Sequence, residues 1–109
     1  MAGTLTVTSS DNGKSLDAHV GDEILVKLAE NPTTGYRWKP EPADGRVVAS
    51  EGDTFEMAAD PAIGSGGTHR FRFAVRAPGR ATIALQLRRA WASDEPPVQT
   101  FSVEVNVSS

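Results

Sequence analysis

The chain has 109 residues, 39% of them apolar and 23% charged, with a net charge of -3 and no cysteine. That length holds one domain, expected over residues 1–109, and the balance of apolar to charged residues is that of a globular rather than a disordered chain. Without cysteine there is no disulfide, thiolate metal site or cysteine nucleophile. Mild acidity without a basic block excludes nucleic acid as the main partner, and no apolar run approaches the ~20 residues of a membrane-spanning helix.

Met1-Ala2-Gly3 leads directly into a strand-like run at Thr4-Leu5-Thr6-Val7, without the basic and apolar regions of a signal peptide. The compartment therefore stays open: cytoplasmic as the chain reads, or periplasmic or secreted where a leader has been removed. Asp11-Asn12-Gly13-Lys14 is a turn. Leu16, Ala18 and Val20 then alternate with Asp17 and His19 until Gly21-Asp22 breaks the run. Ile24, Val26 and Leu28 mark the next strand, with Glu23 and Lys27 facing water.

Tyr36-Arg37-Trp38 predicts a strand whose pairing stops at Pro40 and Pro42, because proline has no N–H for the ladder. Val47-Val48-Ala49 and Thr54-Phe55-Glu56-Met57 read as two short strands. Three clear strands follow, carried by Phe71, Phe73 and Val75, by Ile83, Leu85 and Leu87, and by Phe101, Val103, Val105 and Val107. Ala77-Pro78-Gly79-Arg80 is a tight turn between the first two, and residues 88–98 form a longer loop before the last. Helical periodicity is absent. Short half-apolar strands separated by turn signals predict an all-β fold, an immunoglobulin-like β-sandwich of about seven to eight strands with Trp38 in its core.

Three loops carry more chemistry than a connection needs. In Asn31-Pro32-Thr33-Thr34-Gly35, a residue that bonds its own backbone, a fixed φ and a permissive glycine stiffen a loop that presents two hydroxyls. It reads either as a well-made turn or as a pre-organised contact surface. Ile63-Gly64-Ser65-Gly66-Gly67-Thr68 has three glycines in four residues, which fits a flexible linker or a backbone that a partner approaches closely. It lacks the Lys and following helix of a phosphate loop. Arg88-Arg89-Ala90-Trp91 sets two cations beside a Trp, the residue types enriched in interface hot spots. The plain alternative makes Trp91 core and the arginines solvated charges. Continued inward alternation would bury Arg89, so the strand is expected to end near Arg88. In a sandwich all three loops can gather at one end, as antibody loops do.

His19 and His69 are the only histidines, and no acid with meaningful spacing accompanies either. We read His69 as a satisfied sheet or surface histidine rather than a catalytic base for Ser65, and expect no enzyme activity, no metal site and no cofactor.

At these loops the chain resembles the chagasin family of cysteine protease inhibitors. That family carries, in order, an Asn-Pro-Thr-Thr-Gly loop, a Gly-x-Gly-Gly loop and an Arg-Pro-Trp loop. Here the first is intact at Asn31 to Gly35 and the second is Gly64 to Gly67, while Arg89-Ala90-Trp91 has alanine for the proline and so loses a φ restraint. The resemblance implies a reversible, competitive inhibitor whose partners are papain-like cysteine proteases, and nothing in the sequence suggests more than a monomer. It implies Thr33 near the enzyme's cysteine, the Gly64 to Gly67 backbone along the non-primed cleft with Ile63 in an apolar pocket, and Trp91 on the primed side beside Arg89. The alternative from the residues alone is a non-catalytic immunoglobulin-like binding or adhesion module for protein or carbohydrate.

Overall fold

The computed structural model describes residues 3–30, 35–41, 45–57, 66–89 and 96–108. Among these residues eight strands form: β1 (Thr4–Thr8), β2 (Ser15–His19), β3 (Glu23–Glu30), β4 (Tyr36–Pro40), β5 (Val48–Met57), β6 (Gly67–Val75), β7 (Gly79–Arg89) and β8 (Gln99–Ser108). They make two four-stranded sheets, ordered β1-β3-β6-β5 and β2-β8-β7-β4, in an immunoglobulin-like sandwich. β1 runs parallel to β3, and β2 parallel to β8; β3–β6, β5–β6, β4–β7 and β7–β8 are antiparallel.

Period-two alternation sets the core. Ile24, Val26 and Leu28 of β3 and Phe71, Phe73 and Val75 of β6 face inward from one sheet. Ile83 and Leu85 of β7, and Val103 and Val105 of β8, face them from the other, with Trp38 closing the side at β4. Burying each of these side chains contributes about 1.5–3 kcal/mol, so a one-residue slip of any strand is strongly disfavoured.

Several local expectations change. The two short strands expected at residues 47–49 and 54–57 are one strand, β5, whose register against β6 shifts between Ser50 and Gly52. Gly52 has φ +119°, a backbone conformation that other residues rarely adopt, so the bulge that breaks the sequence pattern leaves the strand continuous. Pairing reaches Pro40, opposite Leu85, and the Glu41 N–H still donates to the Ala84 carbonyl at 2.8 Å. The proline is tolerated because β4 is an edge strand. Pro42 lies outside the described residues. The turn at Ala77 to Arg80 does not close a hairpin: β6 and β7 belong to different sheets, and the turn carries the chain across. Val20, expected inside, is 43% exposed because β2 ends at His19 before the turn.

Asp22 organises that turn. Its carboxylate accepts the His19 N–H at 2.9 Å and the Gly3 N–H at 3.0 Å. These backbone donors hold its pKa below the ordinary 3.8. The stabilisation is therefore complete above about pH 4 and is lost as pH falls through the lower, folded value. Urea midpoints of the wild type should exceed those of Asp22→Asn at pH 6, and the two should converge towards pH 2, where the protonated acid resembles the amide. A constant gap at every pH would show that ionisation of Asp22 contributes nothing.

Candidate functional site

Strand register brings the roots of the three loops together. In the first sheet Glu30, the last residue of β3, lies opposite Gly67, the first of β6, and Gly67 also lies opposite Met57 at the end of β5. In the second sheet Tyr36, the first residue of β4, lies opposite Arg89, the last of β7, and Gln99 at the start of β8 lies opposite Leu87. The two sheet ends coincide, because the Trp38 indole Nε1 donates to the Ala29 carbonyl at 3.0 Å across the sandwich. The strand ends that flank residues 31–35, 58–66 and 90–98 therefore lie at one end of the sandwich.

Of the residues singled out in the sequence, Gly35, Gly66, Gly67 and Arg89 lie within the described residues. Asn31, Pro32, Thr33, Thr34, Ile63, Gly64, Ser65 and Trp91 lie outside them. Gly35 has φ +83°, in the left-handed region that its loop reading requires. Gly67 opens β6, and Gly66 precedes it half-buried. β7 runs one residue past the expected end, to Arg89. The feared burial of that cation does not occur. Arg89 is exposed at the rim, where its Nε donates to the Tyr36 hydroxyl at 3.1 Å and its guanidinium lies 5.2 Å from the Tyr36 ring centre. The root of the third loop is thus packed on the root of the first.

Beneath these roots lies a buried polar cluster that the sequence reading missed. The inward series of β3 ends in Glu30, 4% exposed, and that of β6 begins with His69, 5% exposed. Glu30 Oε1 accepts the Trp38 backbone N–H at 2.5 Å, and Oε2 accepts from Arg37 Nε at 3.4 Å. His69 Nδ1 lies 3.1 Å from both Glu30 oxygens, while its Nε2 meets Asp53 on β5. The imidazole stacks on Phe71 with centroids 4.1 Å apart, and Phe55 meets it edge-on.

His69 was expected without an acid partner and has two, at sequence separations of 39 and 16. Extending the alternation 24, 26, 28 by two residues, and 75, 73, 71 by two in reverse, marks Glu30 and His69 as inward polar positions. A buried charge there must find a partner. The carboxylates occupy opposite ring nitrogens, so the three side chains are spread along the imidazole rather than converging on one ion.

The model of the chagasin family peptidase inhibitor I42 matches residues 17–105. Chagasin from Trypanosoma cruzi is 31% identical over 101 residues, covering 89% of this chain and 92% of that protein. Amoebiasin-1 from Entamoeba histolytica is 31% identical over 107 residues, covering 94% of this chain and 99% of that protein. The crystal structure of the cysteine protease inhibitor EhICP2 from Entamoeba histolytica shares the fold, with a TM-score of 0.84 at 22% identity over 98% of this chain and 97% of that one.

Proposed function

The chain belongs to the chagasin family of peptidase inhibitors, and from that membership we propose how it acts: reversible, competitive occlusion of the active-site cleft of papain-like cysteine proteases. It is an inhibitor of cysteine proteases and not an enzyme. The observation that carries the mode of action is the departure of three loops from one end of the sandwich.

Papain-like enzymes bind extended peptide in a groove and attack its carbonyl with a thiolate. A ridge of stiff loops fills that groove without offering a peptide bond in attack geometry. In this reading the Asn31-Pro32-Thr33-Thr34-Gly35 loop sits over the catalytic cysteine. Ile63, Gly64, Ser65, Gly66 and Gly67 lie along one side of it, and Arg89 with Trp91 on the other. Protease–inhibitor interfaces bury about 1,600 Å² in total, an area that three adjacent loops supply. The packing of Arg89 on Tyr36 supports a rim held in shape before the enzyme arrives.

Titration of papain during hydrolysis of a peptide substrate tests the reading. Inhibition should be stoichiometric at high enzyme concentration and relieved by added substrate. Inhibition that substrate does not relieve would rule out occlusion of the cleft, and no inhibition of papain or a cathepsin would favour a binding module of another kind.

A further inference from the structure

We propose that Glu30 is the positioning residue of the inhibitory end: one buried carboxylate sets the spacing of the first two loops while the inhibitor is free. The inference rests on the occlusion reading above and adds to it the group that holds the loops in register.

Glu30 is the last residue before the first loop. Its side chain turns inward rather than towards the enzyme and is fully buried. From there it reaches two other elements. The Trp38 N–H belongs to β4, the strand on which the first loop lands, so the carboxylate spans the base of that loop and joins the two sheets. His69 lies two residues beyond Gly67, at the root of the glycine loop, so the same carboxylate fixes the second loop relative to the first. Asp53 and the Phe71 stack hold the imidazole from its other sides, so the ring cannot swing away.

A carboxylate in this position costs desolvation that an apolar residue would avoid, as Ile24, Val26 and Leu28 below it in β3 show. What it supplies is direction. Two fixed acceptors orient an N–H from the opposite sheet and a ring nitrogen from the neighbouring strand, where apolar contact fixes neither angle nor register. Interfaces made of loops lose affinity to the entropy of ordering them, so rigidity at the roots is retained as affinity. The groups facing Glu30 are Arg37 and Trp38 from β4 and His69 from β6, with Asp53 of β5 behind the ring.

The test compares Glu30→Gln, Glu30→Leu and Val105→Ala. Gln keeps an acceptor for the Trp38 N–H and offers an N–H to Nδ1 of an imidazole that carries its proton on Nε2, facing Asp53; Leu keeps the volume but neither bond. Val105 is fully buried in β8 opposite Ala81, towards the other end, and serves as the stability control. Dissociation from papain, the urea midpoint and the amide resonances of Gly35, Gly67 and Arg89 in the free protein are measured for each. Glu30→Leu should dissociate about tenfold faster or more and shift all three resonances, whereas Gln should stay within about threefold of wild type. Val105→Ala should lose urea stability and dissociate at the wild-type rate. Equal dissociation rates for wild type and Leu, a Gln variant as weak as Leu, or equal weakening by Val105→Ala would each overturn the proposal. If Glu30→Leu does not fold, His69→Leu, which cuts only the tie to the second loop, takes its place with the same expected outcome. If wild type does not inhibit papain, the occlusion reading fails first. The resonances of the free Gln and Leu variants then decide the positioning role alone, and unmoved Gly35 and Gly67 signals would overturn it.

Discussion

Trp38→Ala is expected to lower the free energy of unfolding by about 3–5 kcal/mol, the largest effect of any single truncation at this end of the fold. Trp38 is 5% exposed and lies opposite Leu87 on β7, the only strand β4 pairs with among the described residues. Its indole N–H is also a direct polar link between the sheets, through the Ala29 carbonyl. Truncation removes the apolar volume, opens a cavity and leaves that carbonyl without its donor, and the three losses add. Proteins of this size are stable by about 5–15 kcal/mol, so the variant should be close to unfolding at physiological temperature. Urea unfolding followed by far-ultraviolet circular dichroism measures the loss, with Trp38→Phe expected between wild type and Ala. A change below about 1 kcal/mol would mean that Trp38 does not close the sandwich.

Trp91→Ala should leave stability nearly unchanged and weaken inhibition of papain by about 2 kcal/mol or more, roughly thirtyfold in the inhibition constant. Trp91 lies outside the described residues, and the expectation rests on Arg89-Ala90-Trp91, which resembles the family's Arg-Pro-Trp loop with alanine in place of the proline. A large aromatic ring that enters a desolvated groove contributes most of its area as binding energy, provided the loop bearing it is held. Arg89 packed on Tyr36 holds one root of that loop. The two tryptophans thus make opposite predictions: one variant loses the fold, the other loses the target. An unchanged inhibition constant for Trp91→Ala would remove that side chain from the interface, and a lowered urea midpoint would return it to the core.

The runs at Ile24 to Leu28, Phe71 to Val75 and Phe101 to Val107 were readable because large apolar residues recur at every second position, and Ile24, Val26, Leu28, Phe71, Phe73, Val75, Phe101, Val103, Val105 and Val107 are all buried. The loop motif was readable too, since Pro32 and Gly35 act through their own backbone angles. The misreadings have a common origin. Gly52 looks like a strand end until β6 is seen paired on both sides of the bulge. Ala77 to Arg80 looks like a hairpin until β6 and β7 are found in different sheets. Arg89 looked too costly for a strand until Tyr36 appeared opposite it. In each case the missing fact was a neighbour from another part of the chain.

Composition and alternation were thus enough to establish an all-β sandwich, the faces of its main strands and the family that its loops resemble. These follow from side-chain period, turn chemistry and short motifs, which act over a few residues. The choice of partner for each strand, including the two parallel edges, was settled by the path of the whole chain. Glu30 marks the boundary between the two. Alternation turns it inward, but Trp38 and His69 become its partners through the packing of two sheets, over sequence separations of 8 and 39.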